Sequence, residues 1–225
     1  MSGKLKLAVF DLDGVLVLER SSWGYLHKVF GTYELINKAS YSKDFERGLI
    51  TYSDWMKLDL ESIIRARGTV LCREVAEAFE KVEIAEGARE VVAYLKIRGV
   101  RTAIVSAGIE YLATRVASNL GIDEVYANKL LCDEEGRLLP QGIEVVNPLK
   151  KGEVIKEITR KHSISLLETM YVGDSEWDCS AFEVVGYPVA LSSTLIECSK
   201  LLNSTNLVYV SNMKELESLI KSIVP

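Results

Sequence analysis

Glutamine occurs once in these 225 residues, at Gln141, and proline only four times. So thin an amide content leans towards a protein made for heat, where labile amides are depleted. No internal repeat or low-complexity stretch is present, which excludes a long disordered or fibrous chain. No apolar run is long enough to span a bilayer. The start MSGKLKLAVFDLDG meets its first acids too soon to serve as a secretion signal. A cytoplasmic location with no membrane partner is therefore expected. There is no basic stripe with interleaved aromatics, and the net charge is −5, so nucleic acid is not an expected partner either. The four cysteines, Cys72, Cys132, Cys179 and Cys198, form no Cys-x-x-Cys pair. Scattered through apolar and helical stretches, they read as reduced, partly buried thiols. His27 and His162 stand at no useful spacing from a cysteine or serine. Neither a zinc site nor a Ser-His-Asp triad is expected, and both histidines read as structural or surface residues.

What is present is an ordinary globular composition, 48% hydrophobic and 26% charged, with enough chain for one core and a second small domain. Residues 5–10 read as a buried strand stopped by Asp11. From 18 to 82 there are helical patterns and no convincing strand. Helices are expected over Ser22–Ile36, from a Ser53 cap to Arg67, and over Cys72–Lys81. This stretch holds half of the chain's aromatic residues, among them Trp23, Tyr25, Trp55 and Phe79. Most should form a bundle core, with some facing a substrate.

After Gly87 the rhythm is helix, strand, helix, strand. Ala88–Arg98, Ile109–Leu120, Lys151–Lys161, Trp177–Val185 and Met213–Ile223 read as helices. Arg101–Val105, Val125–Ala127, Thr169–Val172, Pro188–Leu191 and Leu207–Val210 read as strands. Lys129–Cys132 and Leu138–Val145 flank an acidic turn, a hairpin signal. The expected fold is α/β, a doubly wound parallel sheet with a small inserted helical cap. The expected division is a core of 1–17 and 83–225, with residues 18–82 as the cap. In such sheets ligands sit at the carboxyl ends of the strands. Three apolar runs end there at polar residues: Asp11, Ser106 and Gly173-Asp174.

Asp11 and Asp13 are close enough to repel, and Asp174 and Asp178 add more negative charge. A hard divalent cation with oxygen ligands, most simply Mg²⁺, answers that crowding and also grips a phosphate. Asp-x-Asp alone is weak, but Asp-x-Asp-Gly after one buried strand and Gly-Asp-x-x-x-Asp after another is strong. Ser106 opens a Ser-Ala-Gly turn into a helix, so it reads equally as an N-cap and as part of an anion clamp of backbone amides. Lys151 opens a helix, where a lysine opposes the dipole, which favours a functional role. Lys150 is its competitor.

Asp11-Leu12-Asp13-Gly14-Val15, Ser106, Lys151 and Gly173-Asp174-Ser175-Glu176-Trp177-Asp178 resemble, in order and spacing, the four motifs of the haloacid dehalogenase superfamily. The VSAG turn, the hairpin from Asn128 to Val145, LKKGEVI and YVGDSEWD are similar to its phosphoserine phosphatase branch. The resemblance spans 5–17 and 83–220; in the cap it is one of length and helical character. It implies a Rossmann-like core and a Mg²⁺-dependent phosphatase acting on a small phosphorylated metabolite, as a monomer or homodimer. It assigns Asp11 as nucleophile and Asp13 as general acid and base. Ser106, Ala107 and Lys151 would bind phosphate, and Asp11, Asp13, Asp174 and Asp178 would form the metal site. Because haloacid dehalogenases proper lack the second carboxylate, Asp13 favours phosphate over halide chemistry. Val15 stands where threonine is frequent, Ala107 where glycine is, and Trp177 where asparagine is usual. The branch reads serine with a cap Glu and Arg. The candidates here are Glu19, Arg20, Arg47 and Lys57, and a lysine lacks the forked grip of arginine. The alternatives are a receiver-like phosphoacceptor module, which uses a similar residue set, and a phosphotransferase.

Overall fold

In the computed structural model, which describes residues 4–192, 198 and 207–225, seven strands form one sheet. They are β1 (Leu7–Phe10), β2 (Arg101–Ile109), β3 (Glu124–Cys132), β4 (Leu138–Ile143), β5 (Thr169–Gly173), β6 (Tyr187–Leu191) and β7 (Val208–Val210). Their order is β4-β3-β2-β1-β5-β6-β7. Only β4 runs antiparallel, paired to β3 as a hairpin. The expected doubly wound sheet is observed. Residues 1–3, 193–197 and 199–206 of the expected core lie outside the described residues.

Strand side chains alternate between the faces, and the core divides accordingly. Ala8, Phe10, Ile104, Met170 and Val172 pack on one side. There they meet α6 (Ala88–Ile97), α7 (Glu110–Leu120) and α10 (Met213–Ile223). Leu7, Val9, Ala103, Val105 and Tyr171 pack on the other, against α8 (Lys151–His162) and the short α9 (Cys179–Phe182). With both faces covered, strands such as β1 and β5 are buried along their whole length, which is why they read as unbroken apolar runs. β1 lies between β2 and β5, so the chain leaves the sheet in opposite directions on its two sides. That switch point places the ends of β1, β2 and β5 around one crevice.

Between β1 and β2 the chain forms α1 (Ser22–Phe30), α2 (Tyr33–Ala39), α3 (Tyr41–Glu46), α4 (Tyr52–Arg67) and α5 (Cys72–Phe79). The helix expected over Ser22–Ile36 is broken at Gly31, which adopts φ 76° and closes α1 with its amide on the His27 and Lys28 carbonyls. α4 is capped by Thr51 rather than Ser53, through a reciprocal box with Asp54. α3 escaped the sequence pattern because only Phe45 in it is buried. Leu26, Phe30, Leu60, Ile63, Val75 and Phe79 join the main core without a break. His27 is buried, its Nδ1 2.6 Å from the Thr32 hydroxyl and its Nε2 3.3 Å from Asp59 Oδ1. His162 pairs with Glu124 at the sheet edge.

The segments expected at Val125–Ala127 and Lys129–Cys132 are one strand, β3. The helix expected over Trp177–Val185 is a 3₁₀ turn at Glu176–Asp178 followed by α9. The expectation of reduced thiols is overturned. Cys72 is bonded to Cys132 and Cys179 to Cys198, and no cysteine is free among the described residues. Spacing along the chain could not reveal this, because the fold brings together residues 60 positions apart in one pair and 19 in the other. The first bridge ties the start of α5 to the end of β3. It is flanked by hydrogen bonds from Cys72 N–H to the Gly136 carbonyl, 2.9 Å, and from Leu138 N–H to the Val70 carbonyl, 2.8 Å. Among the described residues, no helix is long and apolar enough to cross a membrane.

Candidate active site

β1 delivers Asp11 at its end, and the chain must then turn sharply. Gly14 makes the turn, with φ +73° and a backbone so close to Asp174 that a Cβ would lie 2.1 Å from its Oδ2. β2 carries a bulge, its register against β3 shifting between Val105 and Ile109. The bulge turns Ser106-Ala107-Gly108 towards Asp11. Ser106 is therefore not the N-cap that the sequence allowed: the strand runs on through it, and Ile109 takes the cap position of α7. Its Oγ accepts a hydrogen bond from Gly108 N–H at 3.1 Å. Gly108 is required for space, since a Cβ there would meet Ser22 Oγ at 2.5 Å and Asp13 Oδ2 at 2.8 Å.

At the start of α8 the buried Lys151 reaches both Asp11 Oδ2, 2.9 Å, and Asp178 Oδ1, 2.6 Å. Lys150 is exposed, so of the two lysines it is Lys151 that joins the carboxylates. Asp178 is fully buried and heavily hydrogen-bonded. Its Oδ1 also accepts from the Tyr171 hydroxyl at 2.6 Å. Its Oδ2 accepts from Asp174 N–H, Ser175 N–H and the Ser175 hydroxyl at 3.0, 3.1 and 3.2 Å. Asp11 Oδ1 accepts from Leu12 N–H at 2.8 Å. Asp13 Oδ2 accepts from Ser22 N–H, 2.9 Å, and Ser22 Oγ, 2.8 Å, while its buried Oδ1 has no hydrogen-bond partner among the described residues.

Carboxylate oxygens of Asp11, Asp174 and Asp178 lie within 4.8 Å of one another. Burial and the neighbouring Asp11 and Asp178 push Asp174 up to about 7. Burial, partly offset by the Ser22 amide, also pushes Asp13 up to about 7. Burial raises Asp11, against the pull of Lys151. Burial alone would lower Lys151, but the Asp11 and Asp178 carboxylates outweigh it and hold the ammonium charged. Four carboxylates around one buried ammonium leave uncompensated negative charge. An all-oxygen, acidic donor set of this kind fits a hard cation such as Mg²⁺.

Asp11, Asp13, Ser106, Ala107, Lys151 and Asp174 line one cavity of about 300 Å³. Of the four residues put forward to read the substrate, only Arg20 lines it. Glu19 sits 3.4 Å from Lys28, Lys57 turns outward to within 3.8 Å of Glu61, and Arg47 is exposed just after α3. An i,i+4 partner and open solvent hold Lys57 more readily than a desolvated pocket would. Four aromatic residues, Trp23, Tyr52, Trp55 and Trp177, also line the cavity, beside Ser21, Gly108, Pro148 and Ser175. The Ala107 carbonyl accepts hydrogen bonds from Tyr52 OH at 2.6 Å, Asn128 Nδ2 at 2.8 Å and Trp23 Nε1 at 3.3 Å. Ser22, Tyr171, Asn128 and Tyr52 carry no functional signal in the sequence. Each acts through a partner distant in the chain or on another element, and nothing in local spacing marks it.

A mostly parallel α/β sheet with a lysine-bridged carboxylate cluster at its strand ends defines a site of the phosphoryl-transfer type. The model of the haloacid dehalogenase-like hydrolase family matches residues 8–183. The chain is 31% identical to the phosphoserine phosphatase of Methanocaldococcus jannaschii, over 84% of this chain and 87% of that protein. It is 29% identical to that of Archaeoglobus fulgidus, over 84% of this chain, though it spans only 53% of that longer protein. A solved phosphoserine phosphatase holding an analogue of its phospho-aspartyl intermediate is 25% identical, with a TM-score of 0.76 over 98% of this chain and 99% of its own. The chain belongs to the haloacid dehalogenase-like hydrolase family and is phosphoserine phosphatase-like, as its motifs implied.

Proposed function

We propose that the protein is a Mg²⁺-dependent phosphomonoesterase working through an aspartyl phosphate. The observation that carries this reading is that Asp11, Asp13, Ser106, Lys151 and Asp174, from three strand ends and one helix start, line a single cavity. Asp11 attacks phosphorus, and the P–O bond to the departing alcohol breaks. Asp13 gives its proton to that alkoxide, its orientation fixed by the two hydrogen bonds from Ser22. It then takes a proton from the water that attacks the aspartyl phosphate, which releases inorganic phosphate and restores Asp11. Lys151 and the Ser106 hydroxyl hold the phosphoryl oxygens, and Lys151 offsets charge as it develops. Mg²⁺, held by Asp11, Asp174 and the Asp13 backbone carbonyl, would supply further charge neutralisation at the phosphoryl group. Five hydrogen bonds occupy Asp178, which supports a positioning role for it, towards Lys151 and the 174–175 turn, rather than direct ligation.

We also propose the division into a core of 1–17 and 83–225 and a cap of 18–82 that closes over the substrate. The cytoplasmic location belongs to the same proposal, with the condition that the disulfides persist there, as they do in intracellular proteins of hyperthermophiles. The test is a panel of small phosphomonoesters with Mg²⁺. Phosphate release is expected, with loss in EDTA, recovery on adding Mg²⁺, and a drop of roughly a thousandfold or more in Asp11→Asn. Undiminished activity in that variant, or silence of the wild type across the panel, would refute the reading. A phosphoacceptor module would instead accumulate a long-lived phosphorylated chain after acetyl phosphate, visible by intact mass.

A further inference from the structure

The phosphate end of the cavity is polar, and its opposite wall is built of rings. Tyr52 and Trp55 meet edge to face at 5.6 Å between centroids, and Trp55 and Trp177 meet at 6.4 Å. Phe45 backs both tryptophans, at 5.7 and 6.2 Å. Two polar tips of this wall are committed to one acceptor. Tyr52 OH and Trp23 Nε1 both donate to the Ala107 carbonyl. What these side chains offer the cavity is ring surface.

The charged groups lining the cavity are equally telling. Among the described residues that line it, the carboxylates are Asp11, Asp13 and Asp174, all at the phosphate end, and the cations are Lys151 and Arg20. An amino-acid leaving group would bring an ammonium with no carboxylate on the wall to receive it, and an unpaired buried charge is costly. The rings also touch one another in series, which gives a face to stack on rather than a box around a cation. A cavity of about 150 Å³ holds a benzene, so about 300 Å³ accommodates a phosphoryl group and one ring.

We infer that the preferred substrate is the phosphomonoester of an aromatic alcohol, its ring packed against Trp55 and Trp177 and its phosphoryl group at Asp11. This rests on the phosphomonoesterase reading above and specifies its leaving group. The aromatic ester gains ring burial that a short alkyl ester lacks, worth roughly 10- to 100-fold in kcat/KM.

The experiment compares kcat/KM for 2-phenylethyl phosphate, ethyl phosphate, O-phosphoserine and phosphocholine with Mg²⁺; none of the four alcohols is an activated, phenol-like leaving group. The expected result is 2-phenylethyl phosphate ahead of all others by roughly tenfold or more. Its ratio to ethyl phosphate should collapse several-fold in Trp55→Ala and in Trp177→Ala. Trp55→Leu keeps apolar volume without the indole, protects against loss of folding in the alanine variant, and should give an intermediate ratio. Preference for phosphoserine, or for phosphocholine as an aromatic cage would give, overturns the inference and leaves the phosphatase intact. So does a ratio indifferent to all three variants. No turnover of any ester refutes the phosphatase reading itself and takes this inference with it.

Discussion

The two ends of the cavity are built on opposite principles. At the phosphate end the carboxylates and the lysine come from strand ends, turns and a helix start of the core, and several are tied to one another: Asp178 alone accepts five hydrogen bonds. At the other end the residues are large rings, three of the four from the helices between β1 and β2, held by one another and by a single carbonyl. The first end fixes a reaction that is the same for any phosphate ester. The second selects an alcohol. Charge needs rigid placement, because misplacing a buried ion costs several kcal/mol. Ring packing tolerates exchange of one apolar shape for another at about 1 kcal/mol.

That contrast breaks most readily at Lys151. Lys151→Met leaves Asp11 and Asp178 buried and facing each other without a cation. In EDTA, urea unfolding should show a loss of about 3 kcal/mol or more, and added Mg²⁺ should recover part of it. A variant as stable as the wild type without metal would mean that the lysine is not what holds the cluster together.

Next comes the covalent link between α5 and β3. Cys72→Ser opens the bridge to Cys132, which closes a loop of 60 residues. The expected cost is about 2–4 kcal/mol, read as a lower Tm. Dithiothreitol should move the wild type towards the variant, by more where it also opens Cys179–Cys198. An unchanged Tm in the variant would show that hydrogen bonds around Gly136 and Val70 hold this junction unaided.

The smallest effect sharpens the comparison from outside the site. Burial raises the Asp123 carboxyl, but the Thr102 amide, the Lys96 ammonium and the Thr102 hydroxyl outweigh it and hold it below the usual range. Its folded pKa is thus lower than its unfolded one. It therefore contributes stability above about pH 4, and loses that contribution as pH falls through the folded value. Asp123→Asn should cost about 1 kcal/mol at pH 7, a difference that shrinks as the pH is lowered, with activity unchanged. A difference constant with pH would sever the link between this carboxylate and acid stability.

Much of the phosphate end was legible in the sequence because it is made of chain-local signals: an apolar run, a stop, an acid. Asp11, Ser106 and Asp174 are found that way, and Lys151 by its place at a helix start. What failed were readings that depend on the third dimension. The N-cap half of the even reading of Ser106 failed because no local feature announces a bulge that carries β2 four residues past Val105. Ser22–Ile36 looked like one helix because its apolar spacing runs on past Gly31, whose left-handed backbone ends it. The disulfides join elements that the sequence separates. The ring wall was legible only as an aromatic-rich stretch. Which rings face the cavity is set by how α1 and α4 pack, and Trp177 joins them from another part of the chain.

The Ala107 carbonyl, gripped at once by Trp23, Tyr52 and Asn128, makes one peptide oxygen the common anchor of α1, α4 and β3. The placement of Trp23 and Tyr52 above the Asp11 end of the cavity is consequently tied to the same turn that carries Ser106. Adaptation to longer or shorter alcohols would then proceed by whittling individual rings, with the roof staying at its height.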